Sequence, residues 1–311
     1  MMPNYGLKKE KKESRLDSPE RILISGTNGF LGKNLLTYSE FFRKNHDPVG
    51  REDDSHIVDS LRPARTAIHL AGLAHQSFRS SDSEIYYKSN VLLSLDFLKK
   101  ASEVGVKHFI YISTSKVFGE GQDEPYTEKS ILNPQDVYSR SKLQAEEELS
   151  KLASQIGVRL SILRPPLLYG PNPKANFLTM LKFVKLGIPV PISSQSNRRS
   201  FLSTYNFSDF LLTLIQSKSL KSKIYLLQDP KPISTQDLVT AMAIALGKNP
   251  KFLKIPHRLG STATSLIGKS LAWKKWTGSF YLDDADTRSY LKWQPNWTTM
   301  DSLLKTVLES K

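Results

Sequence analysis

No cysteine occurs among the 311 residues, which excludes disulfides and thiolate metal sites. No apolar run approaches membrane-spanning length, and the N-terminus is polar and charged, unlike a secretory signal. Histidine is scarce, with 6 in the chain, and no Asp/Glu/His cluster surrounds His69 or His75. Both are read as core or loop residues, and no metal site is expected. Acidic residues nearly vanish from one long stretch: residues 174–275 hold sixteen Lys/Arg against three Asp/Glu, close to the whole net charge of +14. That imbalance fits a solvated basic face, an anionic substrate or peripheral contact with an acidic membrane. No module for nucleic acid accompanies it. Internal repeats are absent. What remains is a globular chain long enough for one large or two modest domains, with a reducing cytoplasm as the expected compartment.

Residues 1–19 have few apolar side chains and no period, and read as a disordered extension. The apolar run Ile22-Leu23-Ile24-Ser25 then leads into Gly26-Thr27-Asn28-Gly29-Phe30-Leu31-Gly32 and a helical pattern. Strand, glycine turn and helix in that order form the context of a dinucleotide site. Gly26 permits the tight turn, Gly29 admits a pyrophosphate to the helix N-terminus, and Gly32 lets helix and strand approach. A second strand is expected around Pro48-Val49-Gly50-Arg51 and a short helix over Ser55–Leu61. Arg51 followed by Glu52-Asp53-Asp54 admits either NADP, through an Arg on the extra phosphate, or NAD, through a carboxylate on the ribose. Ala67–Gly72 is the third strand, with small residues where a cofactor could lie close, and Leu70, Ala71 and Gly72 are cofactor-contact candidates.

A helix over Asn90–Ala101, a strand Phe109–Ser113 running into Thr114, and a strand Arg159–Arg164 continue the alternation, so the sheet should be parallel and doubly wound. Between the last two lies Tyr138-Ser139-Arg140-Ser141-Lys142, opening a helix that ends near Gly157. Residues four apart share a helix face, so Tyr138 and Lys142 enter one pocket. An ammonium beside a phenol favours the phenolate and makes Tyr138 an acid/base candidate. After Pro165-Pro166 the rhythm changes, with helices expected over Phe177–Leu186, Asp209–Leu214 and Thr235–Leu246 and a returning strand at Ile224–Leu227. From Lys251 to Trp276 basic, apolar and aromatic residues mix, as in a core helix with a basic outer face or an amphipathic helix on a membrane surface.

In their order along residues 20–300 these motifs resemble the extended short-chain dehydrogenase/reductase family, in its nucleotide-sugar epimerase/dehydratase branch. The family's Gly-x-x-Gly-x-x-Gly matches Gly26, Gly29 and Gly32, and its Tyr-x-x-x-Lys matches Tyr138 and Lys142. Its Ser/Thr before Val-Tyr-Gly matches Thr114, with Phe118 in place of that Tyr. Arg164-Pro165-Pro166-Leu167-Leu168-Tyr169-Gly170-Pro171 and Leu291-Lys292-Trp293-Gln294-Pro295 look like two further family motifs.

The resemblance implies a Rossmann-type domain over residues 20–165 and a smaller C-terminal α/β substrate-binding region over 166–311, with part of 200–230 returning to the sheet. It implies Thr114 on the sugar's O4, Tyr138 as the acid/base, and Lys142 holding the nicotinamide ribose and lowering the pKa of Tyr138. It implies NAD or NADP contacts from Asn28, Phe30, Leu31 and Asn90 beside the glycines, and from Asp54 on the adenine. Asn176 and Arg199 look like the residues that hold the nucleotide diphosphate, with Lys116 on the substrate side. The 4,6-dehydratases carry Asp-Glu where this chain has Ser115-Lys116, which argues against dehydration. The pattern is similar to an O-antigen subgroup of UDP-hexose 4-epimerases and 4-keto reductases of the UDP-N-acetylquinovosamine type. A UDP-sugar is the implied substrate and a homodimer an implied assembly. A cofactor-sensing protein on the same fold is a further reading, though such proteins lose the Tyr or the Lys.

Overall fold

In the computed structural model of the chain, the described residues are 21–50, 63–74, 83–120, 124–173, 175–193, 196–217, 221–256, 262, 273 and 277–310, without the side chains of Ala175 and Asn176. Strand β1 (Ile22–Ser25) is buried along its whole length, as an apolar run covered on both faces must be. Helices α1 (Phe30–Tyr38) and α2 (Glu40–Asn45) lead to β2 (His46–Val49) and β3 (Thr66–His69). Then come α3 (Ser83–Tyr87), a π-helical turn at Lys88–Leu92, α4 (Leu93–Glu103) and β4 (His108–Ile112). The Tyr138 helix is α5 (Val137–Ile156), followed by β5 (Arg159–Arg164) and β6 (Leu167–Tyr169).

The C-terminal part contains α6 (Ala175–Leu186), β7 (Val190–Ser193), β8 (Phe201–Ser203), α7 (Thr204–Gln216) and β9 (Lys223–Leu226). It continues with α8 (Thr235–Ala245), β10 (Phe252–Ile255), α9 (Ala285–Leu291) and α10 (Thr299–Leu308).

The main sheet has six strands in the order β2-β1-β3-β4-β5-β9, every pair parallel. Side chains alternate across it. Ile22 and Ile24 join Ile68, Ile110 and Leu163 under α1 and α7, whereas Leu23 joins Ala67, Phe109 and Leu160 under α4 and α5. The sheet is thus covered on both faces, a doubly wound α/β fold. A third core, including Tyr169, Phe177, Val190, Phe201, Leu238 and Leu303, holds the C-terminal elements together. β9 crosses back to extend the main sheet, with Leu163 beside Tyr225. Among the described residues no helix is long and apolar enough to cross a membrane.

Three expectations shift. The second strand lies earlier, at His46–Val49, because pairing to β1 rather than side-chain apolarity defines this edge. The helix expected from Asn90 is preceded by α3 and widened into the π turn where Asn90 sits. The helix expected from Lys251 begins instead as strand β10, parallel to β7. Most of the segment after β10, up to Trp276, lies outside the described residues, as do Ser55–Leu61 and His75.

Candidate active site

The strand order reverses between β1 and β3, and ligands of open parallel sheets bind at the carboxyl ends of such a pair. There Gly26 leaves β1 with φ +77°, and a Cβ on it would lie 2.5 Å from the Ala71 nitrogen, so only glycine lets the two loops touch. A Cβ on Gly32 would lie 2.5 Å from Thr27 Cα, so α1 rests directly on the loop. Asn28 and Gly29 are exposed, and α1 starts at Phe30 with Gly29 in the capping position, where it has no side chain to satisfy the first N–H groups. Those groups and the positive helix end suit a phosphate. Leu31 packs inward on the core.

Beside the contact of Gly26 with Ala71, Leu70 N–H donates to the Ser25 carbonyl at 3.2 Å and Ala71 N–H to Ser25 Oγ at 3.4 Å. A Cβ on Gly72 would meet Asn90 Oδ1 at 3.1 Å and Lys142 Nζ at 3.8 Å. Asn90 is buried in the π turn, accepting from Leu73 N–H at 2.7 Å and donating to Ser141 Oγ at 2.9 Å. Its amide fixes the loop after β3 against α5. His69 is a core residue, hydrogen-bonded to Ser25 Oγ at 2.6 Å and Ser94 Oγ at 2.9 Å, and no group of potential metal ligands forms among the described residues. The close-packed glycine loop, with exposed Asn28 and Gly29, and the uncapped helix end fit a dinucleotide such as NAD or NADP, with Lys142 beside Gly72.

α5 opens on a capping box: Ser139 N–H donates to Asp136 Oδ1 at 2.7 Å while Asp136 N–H donates to Ser139 Oγ at 3.2 Å. This cap fixes the first turn and with it the direction of Tyr138. Thr114 is the last extended residue before a 3-10 turn at Ser115–Phe118, and its Oγ accepts from Lys116 N–H at 3.3 Å. The Thr114 hydroxyl is near enough to the Tyr138 phenol to favour its ionised form. Against the expected lowering by Lys142, burial pushes that phenol up to about 12, with only the Thr114 hydroxyl working against the rise. One turn further along α5, Lys142 Nζ lies 4.1 Å from the centre of the Tyr111 ring. Burial pulls Lys142 down to about 7, with the Glu146 carboxylate opposing the fall. Lys116 Nζ stands 5.6 Å from the centre of the Tyr138 ring. Thr114, Lys116, Tyr138 and Lys142 are therefore gathered at the carboxyl ends of β3 and β4, beside the glycine groove.

Arg199 approaches from the C-terminal part. Its guanidinium donates to the Gly278 carbonyl at 2.8 Å, and its backbone pairs with Ile233 and Phe280. Burial lowers its pKa, and Glu120, in the loop just beyond the Lys116 turn, opposes the drop. Asn176 lies on α6 and its side chain is not described; Arg51 and Asp54 fall outside the described residues.

Sequence reasoning missed Glu146. It is buried one turn beyond Lys142, accepts the Arg164 guanidinium (Nη2 at 2.6 Å, Nε at 3.1 Å) and receives a short hydrogen bond from Ser113 Oγ. A glutamate on a helix ordinarily faces water, and only the i, i+4 spacing from Lys142 points to the inward side. Tyr169, in the Arg-Pro motif, likewise turns away from the groove and donates to buried Asp229 at 2.5 Å.

Lys142 gives a pH prediction. Its folded value near 7 lies below the ordinary 10.5, so between those values the unfolded chain binds more protons and stability rises with pH. The slope is at most about 1.4 kcal/mol per pH unit. Urea midpoints across this window should rise in the parent without cofactor and rise less in Lys142→Met. Parallel curves would contradict the lowered pKa of buried Lys142.

Glycine groove, threonine hydroxyl, phenol and ammonium on a doubly wound sheet define an extended short-chain dehydrogenase/reductase. The chain belongs to the NAD dependent epimerase/dehydratase family, which matches residues 22–227. It is 30% identical over 310 residues to the UDP-glucose 4-epimerase of Vibrio cholerae, spanning 93% of this chain and 94% of that protein. It is 25% identical over 256 residues, 78% of this chain and 77% of the relative, to the N-acetyl-alpha-D-glucosaminyl-diphospho-ditrans,octacis-undecaprenol 4-epimerase of Escherichia coli O157:H7. Among solved structures, the UDP-glucuronic acid 4-epimerase of Bacillus cereus in complex with NAD shares the fold, with a TM-score of 0.74 at 17% identity over 93% of this chain and 98% of that one.

Proposed function

We propose that the protein is an NAD(P)-dependent epimerase that inverts C4 of a UDP-hexose or UDP-N-acetylhexosamine. The observation that carries this reading is the gathering of Thr114, Tyr138 and Lys142: the Thr114 hydroxyl acts on the Tyr138 phenol, and one helical turn on Lys142 Nζ stands beside Gly72. Two relatives support it from different directions. One is named for UDP-glucose and the other for an undecaprenol-linked diphosphosugar, and both are named as 4-epimerases.

Gly26, Gly29, Gly32, Gly72 and Lys142 would hold the dinucleotide, which when bound supplies a hydride acceptor and donor. Tyr138 removes the proton from the C4 hydroxyl and later returns one to the same oxygen. Thr114, beside the phenol, orients that oxygen. Arg199 suits the diphosphate, because a guanidinium fork matches phosphate oxygens, and anchoring there leaves the sugar free to present either face. Ser115-Lys116 offers no carboxylate to remove a C5 proton, so the reading excludes dehydration.

The test is incubation of purified protein with UDP-glucose and UDP-N-acetylglucosamine plus NAD or NADP, followed by chromatography of the epimers and absorbance of the reduced cofactor. Epimer formation without net reduction is expected, and Arg199→Ala should raise KM roughly 10-fold or more. Net oxidation of NAD(P)H by a UDP-4-keto-6-deoxy sugar, with no epimer formed from either UDP-sugar, would replace the epimerase by a dedicated 4-reductase. An unchanged KM would remove Arg199 from the diphosphate site.

A further inference from the structure

We propose that one tip of the C-terminal part, formed by the turn after α6, the end of α8 and strand β10, docks on an anionic membrane surface. The inference does not depend on the C4 chemistry. Four aliphatic side chains stand out there: Leu186 is 72% exposed, Leu253 56%, Ile244 48% and Ile188 43%. Hydrogen bonds and strand pairing bring their segments together. The turn at Gly187 brings Ile188 N–H onto the Phe183 carbonyl at 2.9 Å, and Val190 N–H donates to the Lys251 carbonyl at 2.9 Å. β10 then runs beside β7 with Leu253 opposite Pro191. At the end of α8, Lys248 N–H donates to the Ala243 carbonyl at 2.9 Å, one turn from Ile244.

Lysines surround these side chains. Lys248 Nζ reaches the Lys185 carbonyl, a Cβ on Gly187 would lie 3.8 Å from Lys251 Nζ, and Lys254 is exposed on β10. The three acidic residues of the 174–275 stretch are committed elsewhere. Asp209 holds Trp293 and Asn296, Asp229 is buried under Tyr169, and Asp237 caps the opposite end of α8 through Ser234. The 174–275 residues that build the tip therefore contribute lysines and exposed aliphatic side chains, and the neighbouring Glu309 is engaged by Tyr38 and Tyr205. Charge complementarity selects an anionic partner, and the exposed Leu and Ile favour a headgroup layer with acyl chains beneath it over a polyanion that offers only charge.

The experiment is sedimentation of the full chain with sucrose-loaded vesicles of phosphatidylglycerol or phosphatidylcholine in about 0.1 M salt. Binding at least about 10-fold tighter to phosphatidylglycerol is expected, lost by about 10-fold or more in Lys248→Glu/Lys251→Glu/Lys254→Glu. Leu186→Ser/Leu253→Ser keeps every charge and should also lose about 5-fold or more. Should the charge-reversed protein melt early, Lys248→Gln/Lys251→Gln gives the same comparison. No binding, equal binding to both lipids, or full binding by the Leu→Ser protein would overturn the proposal. Self-association of the parent abolished by Leu186→Ser would assign the face to a second copy and overturn it equally.

Discussion

Replacing Tyr138 with Phe is expected to lower turnover roughly 10²- to 10⁴-fold, the range that a positioned proton-transfer group supplies. The substitution removes one oxygen and keeps the ring, whose neighbours are Tyr86, with centroids 6.5 Å apart, and the Lys116 ammonium. The helix cap at Asp136 and Ser139 is untouched, so α5 should hold its place. The glycine groove is also untouched, so cofactor affinity should stay close to that of the parent. The result is a fall in kcat with little change in cofactor binding, measured by epimer formation and by quenching of protein fluorescence on titration with NAD(P)H. A rate near that of the parent would end the acid/base assignment. Lys142→Met differs in kind: Nζ borders Gly72, and its loss should weaken the cofactor as well as the rate.

The second large effect concerns stability. Glu146 and Arg164 form a bidentate pair with both side chains almost fully buried, and Ser113 donates to the same carboxylate. Glu146→Ala leaves a buried guanidinium without its counter-charge, which costs about 3–5 kcal/mol. Urea unfolding should show that loss, and Arg164→Met in the same background should recover part of it by removing the stranded charge. A loss below about 1 kcal/mol would mean that the pair is solvated in practice. The effect extends to the site, because Glu146 supports the charged form of Lys142. Any Glu146→Ala protein that folds should therefore hold Lys142 neutral to a lower pH than the parent.

Tyr138 and Lys142 were legible because helical spacing is local, and the glycine loop because its constraints act over a few residues. β1 and β5 were legible as apolar runs, which strands covered on both faces require. Glu146 was not legible: a glutamate on a helix normally faces water, and only Arg164, arriving on a neighbouring strand, turns its position into core. Asn90 was legible as a helix residue but not as the clasp on Leu73, since that depends on the π turn. Phe252-Leu253-Lys254-Ile255 reads as helix on its own because its partner, Val190–Ser193, lies about 60 residues earlier and no local pattern announces it.

The crossing of β9 has a consequence for synthesis on the ribosome. β5 ends at Arg164, but the strand that covers its outer edge begins at Lys223, with Ser222 Oγ already receiving Leu160 N–H at 3.0 Å. At ordinary elongation rates that strand emerges roughly 3–12 s later. During the interval the nascent sheet presents unpaired backbone groups on a strand made of Leu160, Ile162 and Leu163, a template for wrong pairing. A fragment cut where the motifs change, near Pro165, would keep that edge open permanently. The nucleotide-binding half is thus completed only by a strand encoded in the other half.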